Sequence, residues 1–145
     1  MMKLTYGLGV MILIGILGYI FWSNTKQVDQ VVSLEMGAKT ALAKVTVPET
    51  FSENAKIGKL LYQAKCAACH AVNASGQDGV APPLVHKIYE PSHHGDESFQ
   101  RAVSIGVQAH HWRFGNMPPV EGITRGDVKM IIAYIRELQR ANGIN

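Results

Sequence analysis

Apolar positions fall into distinct patterns along this chain, and each pattern predicts a different element. Leu4 to Trp22 is a run of 19 residues with 14 apolar side chains, four glycines and Thr5, and it holds no charge. A helix of that length, rising about 1.5 Å per residue, just spans a hydrocarbon core of about 30 Å. Lys3 precedes the run and Tyr19, Phe21 and Trp22 close it, as an interfacial belt would. A cleaved secretory signal is the competing reading. The run exceeds the usual apolar region of a signal, and Phe21, Trp22 and Asn24 stand where a small-x-small site would have to follow. Residues 1–22 are therefore expected to be an uncleaved transmembrane anchor, with residues 4–22 in the lipid bilayer.

Residues 23–49 read as a linker. Val28, Val31, Val32 and Met36 have helical spacing, an extended tether fits as well, and Pro48 ends any helix. From Thr50 onward the period sharpens. Ile57, Leu60, Leu61 and Ala64 recur at i, i+3, i+4, i+7, and Thr50 with Glu53 has the spacing of a capping box, which predicts a helix over 50–64. Residues 71–91 keep no period and contain Gly76, Gly79, Pro82, Pro83 and Pro91, so they read as loop. Asp96 to Val107 is a short helix with two acids at its positive end and Gly106 near its close. Residues 115–119 are loop. Thr124 opens a last helix, with Asp127 in the box position, an apolar face of Val128, Ile131, Ile132, Ile135 and Leu138, and Asn142-Gly143 as its stop. No strand pattern or internal repeat is present, so the expected body, residues 50–145, is all-α.

Composition adds exclusions. A chain of 145 residues accommodates one small domain, and its 47 % hydrophobic content is inflated by the first 22 positions. The net charge of +3 comes without any basic run, so no nucleic acid partner is expected. Two cysteines rule out a disulfide framework.

Those cysteines stand in Cys66-Ala67-Ala68-Cys69-His70. Three residues apart on a helical turn, two thiols share a face and can add to the two vinyl groups of a porphyrin, while the next residue projects an imidazole towards iron. The pattern C-x-x-C-H therefore reads as attachment of one covalent haem c. A thioredoxin-like pair would need a βα unit, and a zinc site would need four ligands, commonly from two such knuckles. His70 is the expected proximal ligand. On the distal side Met117, in Gly115-Asn116-Met117-Pro118-Pro119, is placed by an irregular segment stiffened by two prolines, and methionine with histidine raises the potential as electron transfer requires. His86, His93, His94, His110 and His111 are the rival ligands. Haem c is attached outside the cytoplasm, which puts the body on the periplasmic side.

Here the chain resembles the class I monohaem c-type cytochromes over residues 50–145. Gly58 and Tyr62 match the Gly-x-x-x-aromatic pattern before the haem motif, and Met117-Pro118 resembles the Met-Pro ligand loop. Ala81-Pro82-Pro83-Leu84 is similar to the Gly-Pro-x-Leu stretch, with Ala81 in place of glycine. The resemblance implies that the Pro82 carbonyl holds the other nitrogen of His70, that Leu84 lies near the haem, and that Tyr134 packs on the first helix. With its anchor the whole chain resembles a membrane-tethered bacterial cytochrome c.

The expected function follows. It is a one-electron carrier, not an enzyme, without a small-molecule substrate, held at the bacterial inner membrane and exchanging electrons with membrane redox complexes of a respiratory or photosynthetic chain. A tightly bound haem subunit of an oxidase or dehydrogenase, or a sensor or peroxidase-like protein with an open iron position, are the alternatives. Lys56, Lys59, Lys65 and Lys87 flank the motif and would give the haem edge a weakly positive rim. The pairs His93-His94 and His110-His111 lie outside the family pattern. Neighbours in sequence point apart, so a metal site would require one pair to meet the other in space. Without ligand spacing, the favoured expectation is that one histidine bonds a haem propionate beside Trp112 and Arg113, the others being solvated.

Overall fold

The computed structural model describes residues 15, 16, 18, 19 and 41–145, and the chain divides into two units, residues 1–38 and 39–145. Most of the expected anchor lies outside the described residues. Gly15, Ile16, Gly18 and Tyr19 are helical, and among the described residues no helix is long and apolar enough to cross a membrane.

Among its described residues the second unit holds four α-helices: α1 (Glu53–Lys65), α2 (Ala67–His70), α3 (Asp96–Ile105) and α4 (Arg125–Ala141), with 3-10 turns at Val72–Ala74 and Lys87–Tyr89. Its β-structure, among the described residues, is limited to isolated bridges. The mostly helical expectation holds.

Helix α4 follows its sequence closely. Thr124 caps it, with the full reciprocal box to Asp127, and Val128, Ile131, Ile132, Ile135 and Leu138 are all buried. Helix α3 ends where Gly106 turns the backbone to φ 78°.

Helix α1 departs from expectation in its cap and its face. Ser52, not Thr50, is the N-cap, and its hydroxyl accepts from Ala55 N at 3.3 Å. The choice is tertiary, because Ser52 also donates from Oγ and N to the Glu137 carboxylate of α4, at 2.6 and 3.1 Å. The buried face is Ala55, Gly58 and Tyr62, while Ile57 is 50 % exposed, Leu60 68 %, and Ala64 is also exposed. Gly58 explains the rotation. A Cβ there would sit 1.8 Å from the Met130 carbonyl oxygen, so α1 and α4 cross backbone to backbone at this residue. The closest approach goes to the smallest residue; Ile57 and Leu60 are turned outward, while Leu61 is half-buried and packs against the core as expected.

The linker boundary near residue 50 also moves. Ala41 forms an antiparallel bridge with Gln77, and the amides of Leu42 and Ala43 both donate to Ser75 O, at 3.1 and 2.9 Å. Thr46 and Asn142 exchange two hydrogen bonds of 2.8 Å, and Val45 packs on the core. Residues 41–49 are thus a strap on the helical body. Phe51, Tyr62 and Tyr134 complete the core with ring centroids 5.3 and 5.5 Å apart.

Arg136 is a buried cation that organises the loop before α3. Its guanidinium meets Asp96 Oδ1 at 2.9 Å and donates to the carbonyls of Tyr89 and His94, at 2.7 and 2.6 Å. With Gln139 Oε1 at 2.6 Å the planar fork meets four acceptors at once, more than the three N–H bonds of an ammonium could satisfy.

Candidate functional site

Helix α1 runs almost directly into the single turn α2, with Cys66 at the junction. Cys66 N donates to Tyr62 O at 2.8 Å, and Cys66 O accepts from Cys69 N and His70 N at 3.2 and 2.9 Å. One peptide carbonyl therefore sets the geometry of the whole motif. Cys66 is half-buried, Cys69 is exposed, and their sulfurs are not bonded to each other. Burial, and then the nearby Cys69, push the Cys66 thiol up to about 11. A redox-active pair needs the opposite, a stabilised thiolate.

His70 is buried, and its Nδ1–H donates to the Pro82 carbonyl at 2.9 Å. That bond selects the tautomer with a free lone pair on Nε2, the arrangement in which an imidazole is held for a metal. Burial lowers the pKa of His70, an effect the Pro82 bond partly offsets.

Bringing the Pro82 carbonyl to His70 demands an unusual path. Ala71, Asn73 and Ala74 all have positive φ, at 59°, 56° and 59°, where L-residues are strained. The buried Tyr62 hydroxyl donates to Ala71 O at 2.9 Å, and Tyr134 donates to Asn73 Oδ1 at 3.1 Å. Leu84 N and Val85 N then both donate to Ala74 O, at 2.9 and 3.3 Å. Gly76, at φ 73°, is required here because a Cβ would come within 2.4 Å of Pro83 N. Leu84 packs against the core, and its carbonyl accepts from Gln139 Nε2 at 2.8 Å. Asn73 and Gln139 are supports that sequence reasoning missed, since each acts on a residue remote in the chain.

Met117 is half-buried on a closed stem. Its amide and carbonyl exchange two 2.9 Å hydrogen bonds with Val107. Gly106 permits this, since a Cβ there would sit 2.5 Å from Met117 O. Within the loop so closed, Trp112 stacks on Phe114 at 5.7 Å and meets His86 edge-on at 5.2 Å. The Trp112 Nε1 atom is buried and has no hydrogen-bond partner. The indole offsets part of the upward effect of burial on the Tyr89 pKa, yet the two groups do not reach hydrogen-bond geometry. An orphaned buried N–H costs about 1–3 kcal/mol, a penalty that an acceptor on a bound group would relieve. A haem propionate is such an acceptor. The orphan donor, the buried imidazole with one nitrogen fixed and the two thiols on one turn together fit a covalent haem. Arg113 is exposed.

The two histidine pairs meet in space, the condition a metal site would require. His111 lies 5.4 Å from His93 and 5.3 Å from His94 between ring centroids, and His110 stacks on His94 at 6.2 Å. Loss of hydration and the neighbouring histidines lower the pKa of His111. Two lysines of the expected rim are engaged locally, Lys56 with Glu53 at 2.6 Å and Lys65 with Glu121 O at 3.2 Å.

No curated protein matches the chain. Residues 55–139, from the buried start of α1 to the last buried turn of α4, match the cytochrome c family model, and the chain therefore belongs to the cytochrome c family, whose members carry covalently bound haem c.

Proposed function

We propose that this cytochrome is a one-electron carrier tethered to the bacterial inner membrane by residues 4–22, with its haem domain in the periplasm and membrane redox complexes as donor and acceptor. Family membership supports the haem-based carrier. The charge-free run Leu4–Trp22 with its aromatic end supports the tether. The observation that carries the site is the buried His70 imidazole, fixed through Nδ1 to Pro82 O, directly beside Cys66 and Cys69.

In this reading Cys66 and Cys69 hold the haem by thioethers, His70 is the proximal ligand and Met117 the distal one. The haem supplies a ferric–ferrous couple. The chain does the rest. Pro82 fixes the imidazole, the Val107–Met117 bridge holds the ligand loop closed, and Trp112 Nε1 donates to a propionate. Two strong ligands leave no position for a substrate, which suits a carrier. The lysines near the motif favour encounter with an acidic partner surface.

The test begins with acid–organic extraction of the denatured protein, which should leave the haem on the chain. Met117→Ala should open one iron position to carbon monoxide and cyanide and lower the potential. Haem that extracts freely would end the attachment reading. A variant that stays closed to added ligands would move the distal assignment to His110 or His111.

A further inference from the structure

Haem binding leaves one cluster of side chains without a task. His93, His94 and His111 each bring a ring nitrogen to a common point, these atoms lying within 4.8 Å of one another. We propose that these three histidines bind one divalent transition-metal ion of borderline softness, Zn2+ or Cu2+, which clasps the turn before α3 to the loop that carries Met117.

Two loops separated in sequence build the cluster. On one side, His93 N and His94 N both donate to Glu90 O, at 3.0 and 2.8 Å, which folds the pair into a tight turn. Arg136 secures that turn to α4 through His94 O at 2.6 Å. On the other side, His111 rides the loop whose ends are joined by the Val107–Met117 bridge. Both supports are tied down by backbone hydrogen bonds, as a preorganised site requires.

The orientation of the His94 ring is a second, independent observation. His94 Nδ1–H donates to Ile88 O at 2.6 Å, and its Nε2 is left as a lone-pair donor. The neighbouring His110 is fixed likewise through Nδ1 to Gln108 O at 2.8 Å. A backbone carbonyl on the far nitrogen is the usual way a metal-binding imidazole is oriented and made more basic.

Solvation alone does not account for the convergence. Surface histidines have freedom to separate, and charging one of them here would place it against its neighbours. Among the described residues neither these three histidines nor His110 forms an ion pair with a carboxylate. A dication resolves this by binding the neutral rings. The donor set also selects the ion. Imidazole suits zinc and copper, whereas calcium and magnesium require oxygen ligands. Tetrahedral zinc at its usual bond length places its nitrogens about 3.3 Å apart. His93 and His111 are exposed, so their side chains can swing inwards to that distance. A fourth position remains for water or for His110, whose ring is 4.2 Å from that of His111.

The experiment uses the full-length ferric holoprotein, so that the copper probe is not reduced. Calorimetric titration with zinc chloride should give one site per chain, and His93→Asn and His111→Asn should each weaken it by about tenfold or more. An unchanged haem absorption spectrum in each variant checks that the fold survives. The copper arm reads electron paramagnetic resonance at one equivalent of Cu2+, where nitrogen hyperfine structure should be present in the natural chain and absent from the double variant. Zinc binding with weaker copper binding, or the copper preference that the divalent series favours, both support the site and identify its ion. Failure of both ions to bind stoichiometrically, or affinities that neither substitution changes, would overturn the proposal.

Discussion

Trp112 shows how much one atom can say about a missing partner. Its indole N–H is buried and unsatisfied in the protein alone, so a bound acceptor converts a penalty into a charge-assisted bond. Trp112→Phe in the haem-loaded protein should lower unfolding free energy by about 1.5–3 kcal/mol, read from urea denaturation. An unchanged midpoint would mean that the indole donates to nothing. Tyr134 makes a different prediction. Burial pushes its hydroxyl up to about 12, above its ordinary value of 10.0. Between those values the unfolded tyrosine has lost its proton while the folded one keeps it. The folded state then binds more protons, and stability falls as pH rises, by at most about 1.4 kcal/mol per pH unit. Below the unfolded value the contribution is fully present. Tyr134→Phe should therefore flatten the decline of stability between pH 10 and pH 12, measured by denaturant titration at each pH.

At the scale of elements, the crossing of α1 and α4 is set by Gly58. A helix-interior glycine normally costs roughly 0.5–1 kcal/mol against alanine, so an exposed one would gain from substitution. Here the added methyl would meet the Met130 carbonyl at 1.8 Å, and backbone cannot move aside as a side-chain tip can. Gly58→Ala should destabilise the protein by about 3 kcal/mol or more, read as a shift in denaturation midpoint. A neutral outcome would show that the helices can slide. The same crossing explains why Ile57 and Leu60 face outward although their spacing is helical. Periodicity identified α1 as a helix, but its buried face was decided by α4. Helix α4 was legible in full because its cap, its apolar stripe and its stop are all local and agree with one another.

For the whole molecule, the strap 41–49 belongs to the haem domain, so truncation should separate two functions. A chain lacking residues 1–38 should fold, take up haem and reduce isolated membranes, but only at far higher concentration than the full chain, because tethering supplies a high effective concentration. Equal rates for the two forms would remove the tether from the function, and a truncated form indifferent to ionic strength would remove the positive rim. Removing residues 1–49 should also cost stability, because the bonds to Ser75 and Asn142 go with the strap. The exposure of Ala41 to Thr46 alternates in the structure, but with Leu42 on the exposed side no apolar–polar alternation announces it in the sequence. What the sequence determined by itself was what neighbouring residues decide between them: the helical periods, the Thr124 cap, and the two thiols and imidazole whose spacing specifies the covalent haem c found throughout this family. Tertiary structure alone decided the face of α1, the Ser52 cap and the meeting of His93 and His94 with His111, whereas the placing of Pro82 O on His70 was anticipated through the family resemblance. Each of these joins residues far apart in the chain, and whether they touch depends on how the helices and loops pack.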